Sequence, residues 1–491
     1  MGRMPGARQP ACYYRGHMML AYDIGTSYLK GAVVTPSGKV VSRAQAPLRL
    51  RESRDPTHRE SDPDDWLAGL AIVTAEMSLR EKGRIRGVVV SANGPTLVPV
   101  GATGEPLGPA MTWMDRRAAA EADLISEYSD APIDASFYLP KALWIMRHQP
   151  EVYEATRHFL ACAEYVCYFL TGNPSRIIPS PLFKEFFWNE DAIQPLSMDA
   201  DKFPPFMEPG EIIGTVSERA QDVVGIPSGI PVIAGGPDYV MSILGTAAIS
   251  TGRTCDRAGT SEGINLCWSA PVRDNRLLCF PHLAHGHYNV SAMISSSGSA
   301  LDWAARTFGR KGADYDSLWK DAQAAPAGAR RLLFLPFLSP ERFPIWDSRL
   351  KGSFLGLTTE HGRKEMLRAV VESTGFAVRG IIAAMESNGC RLNDLRVSGG
   401  QTRQPLWCQI RADITGKNVL LPEQEDSDLV GNACVGFYAV EEYTSLSSAC
   451  DSMVRFQRTY LPNPDTLSLY DDLYGVFTAS CAEMGETLQG L

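Results

Sequence analysis

The stretch "LAYDIGTSYLKGAVV", residues 20–34, is an apolar run that ends at Asp23, turns through Gly25-Thr26-Ser27 and resumes as a second apolar run. Two such runs joined by a short glycine-containing turn predict a β-hairpin. A carboxylate, a flexible turn and two hydroxyls occupy its tip, with Lys30 just beyond. Glycine lets the backbone curl close to an anion, so the N–H groups and hydroxyls of the turn can face phosphate oxygens. A carboxylate beside that site repels phosphate unless a divalent ion lies between them. Asp23 organising Mg²⁺, directly or through waters, with Lys30 adding positive charge, is the arrangement phosphoryl transfer requires. The same residues also read as a plain hairpin turn in which Asp23 caps itself.

The hairpin has an echo. "TCDRAGTSEGINLCW", residues 254–268, again turns through Gly259-Thr260-Ser261, but Arg257 stands where the first copy has Asp23. Around the first copy, strand-like and helix-like stretches alternate, the α/β pattern. "SDPDDWLAGLAIVTAEMSL" (61–79) predicts a helix capped by Asp62, with Pro63 in its first turn and Trp66, Leu70, Val73 and Met77 on one face. "RGVVVSAN" (86–93) predicts a buried strand, and residues 142–172 are largely helical with a break near Pro150. "IPVIAGGPDYVMSILG" (230–245) reads as strand, Gly-Gly turn and helix. Asp238 at that helix start is either an N-cap or a carboxylate facing a cleft, where it accepts a proton from a substrate hydroxyl.

Around the second copy, residues 364–389 form a long helix closed by Gly389. "LRVSGGQTRQPLWCQIRADITG" (395–416) is strand, Gly-Gly and helix. "SDLVGNACVGFYAV" (427–440) is a helix whose Gly431, Ala433 and Gly436 leave room for a flat ring. Two half-chains with the same opening predict duplicated domains facing each other across a cleft, with the softest boundary near Gly245–Thr254.

The 491 residues are too many for one ordinary core. A net charge of −9 without a basic stripe argues against nucleic acid as a partner, and no segment approaches the roughly 18–20 apolar residues of a membrane helix. Eleven cysteines without a CxxC pair suit free thiols in a cytoplasmic protein. Residues 1–18 have no apolar core of a secretory signal and are expected to be a disordered leader, with 481–491 a tail. GxxxxGK[ST] and HExxH are missing from the sequence, which excludes a Walker-type site and that metallohydrolase motif. His282, His285 and His287 in "PHLAHGHY" are close enough to suggest zinc, but a closed site needs further ligands.

Taken in order, these segments resemble the FGGY carbohydrate kinases of the actin-like ATPase superfamily, over about residues 19–460. "DIGTSYLKGAVV" is similar to that family's first phosphate motif, "ESDPDDW" to its Glu-x-Asp-Pro-x-x-Trp stretch and "TWMDRRA" to its Trp-x-Asp-x-Arg segment. "LPKALWIMRHQPEVY" resembles the Pro-Lys-x-Leu-Trp helix. "LFLPFLSPERFPIWD" with "GSFLGLTTEHGRKEMLRAVVES" resembles the C-terminal signature, and "SGGQTRQPLWCQIRADITGKNV" the adenosine motif.

The resemblance implies two ribonuclease-H-like domains, residues 19–248 binding sugar and 249–480 binding ATP. It implies a metal-organising Asp23, phosphate-facing Gly25, Thr26, Ser27 and Lys30, and Asp238 as general base. Gly259 and Thr260 fall at the second phosphate turn, and Gly298, Asp302, Gly399, Gly400 and Gln404 flank the nucleotide. Asp115 and Arg117 read either as a structural pair or as ligands of substrate hydroxyls. A homodimer is the family expectation.

Departures cluster in the sugar pocket. Asn93-Gly94-Pro95 replaces Gln-Met-His or Gln-Arg-Glu, Tyr239 follows the base, Glu164-Tyr165 replaces Asp-Tyr, and "RIIPSPLFKEFFW" replaces a polar stretch. The expected activity is ATP-dependent phosphorylation of a small sugar, ketose or polyol, with Asn93 and Tyr239 joining Asp115, Arg117 and Asp238 around the substrate. A catalytically weak sugar or nucleotide sensor on the same scaffold is the alternative.

Overall fold

The computed structural model describes residues 16–77, 82–128, 133–180, 183, 193–309, 314–339, 343 and 350–487. The chain divides into two compact units. The first is the chain up to Met241 with Asn432–Met453, and the second is Ser242–Gly431 with the chain from Val454. Asn432–Met453, which the sequence reading assigns to the C-terminal half, therefore clusters with the first unit.

In the first unit the hairpin forms as expected. Strands β1 (Met18–Ile24), β2 (Tyr28–Val34) and β3 (Val40–Pro47) make an antiparallel meander. β4 (Ile85–Ala92) and β6 (Pro231–Pro237) extend it in parallel, and β5 (Ile212–Thr215) closes the edge, giving the order β5-β6-β4-β1-β2-β3. Helix α1 (Pro63–Glu76) starts where its cap predicts, with the Asp62 carboxylate accepting from Asp64 N. Its Trp66, Leu70 and Val73 are buried in the core of this sheet, each stabilising by about 1.5–3 kcal/mol.

The second unit repeats the plan. β7 (Arg253–Ala258), β8 (Glu262–Trp268), β9 (Leu278–Pro281), β10 (Tyr288–Ile294), β11 (Asp394–Ser398), β12 (Val419–Pro422) and β13 (Phe456–Tyr460) lie in the order β9-β10-β8-β7-β11-β12-β13. Without the edge strands β5, β9 and β13, both sheets are an antiparallel meander whose first strand is flanked by two parallel strands. This is the duplicated ribonuclease-H-like order.

Several local expectations change. Gly235 and Gly236 lie inside β6, not in a turn after it, and helix α2 (Asp238–Gly245) begins at once. A Cβ on Gly235 would overlap the Val90 carbonyl oxygen, and the β6–β4 register shifts there. The helix expected over 142–172 is interrupted by a strand, His158–Ala161, which pairs with Leu97–Val100. Helix α3 (Cys162–Thr171) follows, and its Glu164 accepts from Ala161 N at 2.7 Å and from the buried Arg176 at 2.9 Å. The last helix, Pro464–Thr487, runs into the expected tail. Residues 1–15 of the expected leader and most of "RIIPSPLFKEFFW" lie outside the described residues.

Helix α4 (Ser427–Ala439) carries the small residues singled out in the sequence. They serve close packing. A Cβ on Gly436 would overlap the Met19 side chain. At the end of α2, a Cβ on Gly245 would overlap the Ser427 carbonyl oxygen and come to 3.0 Å from Gly431 N.

Backbone atoms cannot yield as a flexible side chain does. Gly245→Ala is therefore expected to destabilise the protein by about 3 kcal/mol, seen as a lower calorimetric melting temperature. Gly108→Ala, whose Cβ meets nothing within 4 Å, should leave it unchanged.

Candidate active site

Asp23, next to last in β1, lies in register with Lys30 on β2 and Ser91 on β4. It is only 4 % exposed, and the Ser91 hydroxyl donates to its Oδ1 at 2.7 Å. Beyond it the chain tightens through Gly25, whose N–H donates to Tyr28 O at 2.9 Å. Thr26 is half-buried and Ser27 exposed. The Trp113 indole N–H donates to the Thr26 hydroxyl at 3.1 Å, a link the sequence reading missed. Gly25, Thr26, Ser61, Trp66, Asn93 and Thr112 line a small pocket beside this turn.

Asp238 opens α2 directly after β6. The register runs Ile24↔Ala92↔Pro237 across β1, β4 and β6, so Asp23 and Asp238 lie at the same end of the sheet. Two strand spacings separate their strands, roughly 10 Å. Asp238 Oδ1 accepts from Tyr239 N at 2.7 Å. Tyr239 is half-buried beside it, and burial, Asp238 and Tyr138 hold its phenol protonated well above the usual tyrosine range.

Asn93 turns its amide inward. Its Nδ2 donates to Ile24 O at 3.0 Å and its Oδ1 accepts from the Thr96 hydroxyl at 2.8 Å. Behind the following Gly94-Pro95, the buried Lys141 ammonium donates to Pro95 O and Thr112 O, both at 2.8 Å. Burial pulls the Lys141 pKa down to about 7. Asp115 and Arg117 make a closed pair. The guanidinium donates through Nε and Nη2 to Asp115, and through Nη2 also to Glu60 at 2.7 Å. The wholly buried Asp115 takes two further backbone N–H groups, from Arg59 and Arg117.

In the second unit three sequence segments converge. Gly298 N donates to Gly259 O at 3.0 Å and Ser299 N to Thr260 O at 3.1 Å, seating helix α5 (Gly298–Phe308) on the second turn. A Cβ on Gly298 would overlap Gly259 O, and one on Gly399, at φ +97°, would overlap Ala258 O. Only glycine fits both places. Gln401, another residue missed by sequence, donates to Gly259 O at 2.9 Å. Asp302 is exposed one turn along α5, Gly400 opens a short 3₁₀ turn, and Gln404 precedes helix α7 (Pro405–Thr415) after helix α6 (Arg363–Ser387).

Beneath this turn lies a buried acid pair. Arg411 on α7 reaches Glu262 Oε1 at 2.7 Å and Asp256 Oδ2 at 3.5 Å. The Ser297 hydroxyl donates to Glu262 Oε2. One guanidinium balances one carboxylate. Asp256 finds no hydrogen-bond partner for either oxygen among the described residues. Burial, then the Glu262 carboxylate, drives its pKa well above 3.8. The histidines resolve differently: His282 is buried, accepts from Ala284 N, and is held neutral with its pKa lowered to about 4. Among the described residues no three His, Cys, Asp or Glu side chains converge as a metal site.

The family models for the N-terminal and C-terminal domains of FGGY carbohydrate kinases match residues 18–245 and 257–440. The chain belongs to the FGGY family of carbohydrate kinases. It is 26% identical over 481 residues to a xylulose kinase of Staphylococcus epidermidis, covering 94% of this chain and 96% of that one. It is 26% identical over 487 residues to a gluconokinase of Bacillus subtilis, covering 94% of each. The crystal structure of xylulose kinase from Rhodospirillum rubrum superposes with a TM-score of 0.84 at 25% identity, over 96% of this chain and all of that one. This FGGY kinase is thus an ATP-dependent phosphotransferase acting on a carbohydrate. The two relatives are both named as kinases, and neither favours the sensor alternative.

The Asp256 acid fixes a pH prediction. A folded-state pKa above the unfolded value means that the folded protein keeps a proton the unfolded chain releases above pH 3.8. Stability from this group therefore falls as pH rises, by at most about 1.4 kcal/mol per pH unit until the buried acid ionises. Asp256→Asn carries no such proton. Its melting temperature relative to wild type should climb from pH 4 upward, and a constant difference would contradict the assignment.

Proposed function

We propose that this kinase transfers the γ-phosphoryl group of ATP to a hydroxyl of a small sugar, ketose or polyol, with Asp238 as general base. The observation that carries this reading is the pair of aspartates at one end of the first sheet, Asp23 within β1 and Asp238 directly after β6, with the glycine-threonine-serine turn between β1 and β2. Asp238 takes the hydroxyl proton as the oxygen attacks phosphorus. Thr26, Ser27 and Lys30 face phosphate oxygens in the first unit. In the second, Gly259 and Thr260 do the same, and Gly298, Asp302, Gly399, Gly400 and Gln404 flank the nucleotide. Asn93, Asp115, Arg117 and Tyr239 surround the acceptor. Of these, Asn93 and Asp115 have their polar atoms engaged internally, so they shape the pocket, and Arg117 is the cation set beside it.

The donor set fits Mg²⁺. One carboxylate beside hydroxyls is what a small, strongly hydrated ion carried in on a triphosphate uses, and Asp23 is the residue that would hold it. When bound, the ion supplies charge neutralisation on the phosphate oxygens.

The relatives named for xylulose and for gluconate set the first acceptors to try. Ten free cysteines and no membrane-crossing helix among the described residues support a cytoplasmic setting. A homodimer belongs to the same family expectation.

ADP release measured across ketoses, polyols and aldonates identifies the acceptor. On the best one, Asp238→Asn should lower kcat by about 10²–10⁴ while leaving ATP affinity within twofold. Undiminished turnover would remove Asp238 as the base.

A further inference from the structure

Asp23 does not stand alone. The Asn432 amide on α4 is wholly buried and spends both hydrogens on the floor of the first hairpin. Its Nδ2 donates to Tyr22 O at 3.0 Å and to Ser91 Oγ at 2.8 Å. Ser91 Oγ in turn donates to Asp23 Oδ1 at 2.7 Å. The Ser91 hydrogen has a second acceptor within reach, Tyr22 O at 3.4 Å. By occupying that carbonyl and a lone pair of Ser91, Asn432 leaves the hydroxyl one good direction, toward Asp23.

We propose that Asn432 and Ser91 work as one hydrogen-bond chain that sets the direction of the Asp23 carboxylate, making them positioning residues for phosphoryl transfer. The proposal rests on the reading of Asp23 as the metal-organising group.

A packing role alone would not select asparagine here. Its Oδ1 has no partner among the described residues, and a Cβ on Gly235 would lie 3.2 Å from it. An apolar residue of similar size would fill the place without burying an unpaired carbonyl. What asparagine adds is the pair of donors. The hydroxyl of Ser91 is likewise unusual on a strand whose neighbours Val88, Val89 and Val90 are core residues. Groups that orient a ligating carboxylate affect metal affinity and activity about tenfold or more.

Asn432→Ala, Ser91→Ala and the double variant test this with two readouts. Electron paramagnetic resonance measures Mn²⁺ affinity in the presence of ADP, and kinetics measures kcat, the Mg²⁺ half-saturation and the sugar KM. The expectation is that each single variant weakens Mn²⁺ several-fold, raises the Mg²⁺ requirement and lowers kcat about tenfold, with sugar KM within twofold. The double variant should be no worse than the weaker single. Parent-like Mn²⁺ affinity and kcat in a folded variant, or losses that multiply, overturn the proposal. If Asn432→Ala fails to fold, Ser91→Ala decides between the same outcomes.

Asp23→Ala separates the two levels. If it keeps parent-like Mn²⁺ affinity, the reading of Asp23 falls and this proposal with it. If it loses affinity while the other two keep it, only the chain through Asn432 falls.

Discussion

A carboxylate buried at the end of a strand has to be met by donors, because its desolvation is otherwise too costly to tolerate. At Asp23 that requirement organises its surroundings. The strand that supplies Ser91 must lie parallel to β1 and in register with it, which a crossover containing α1 achieves. The turn must close tightly just beyond the carboxylate, which Gly25 permits, its N–H donating to Tyr28 O. The meander, the crossover and the hairpin tip thus answer one local demand.

The two units show how one backbone plan accommodates different chemistry. Side chains alternate between the faces of a strand. The first hairpin places Tyr22 in the core, hydrogen-bonded to Thr74 at 2.8 Å, and sends Asp23 to the opposite face. In the second, the matching positions are Asp256 and Arg257. The acid has moved one residue and so points inward, where Arg411 and Glu262 receive it. Repetition of Gly-Thr-Ser preserves the turn proposed to face phosphate. The displaced acid makes the second copy a support and leaves the first as the candidate metal site.

Much of this was legible from residue order. The hairpins, α1 with its Asp62 cap, and the turns at Gly259 and Gly399 follow from local rules of turn, cap and periodicity, while Gly298 came from the family resemblance. Asn432 did not, because its partners lie some four hundred positions away and its helix reads as an ordinary small-residue stripe. Trp113 was lost for a similar reason: an indole in an apolar stretch gives no sign of where its N–H points. The Gly-Gly of β6 misled because the same dipeptide serves a turn or a bulge. His158–Ala161 misled because a four-residue segment between helices has no period of its own.

The return of Asn432–Met453 to the first unit has a consequence for biosynthesis. Gly436 lies against Met19, the Tyr443 hydroxyl meets Pro36 O, and the Met453 backbone crowds Gly38. One side of the opening sheet therefore stays uncovered until residues 432–453 have emerged from the ribosome. A fragment cut at the apparent midpoint would bare that apolar face, so the native N-terminal module is discontinuous and completes only late in translation.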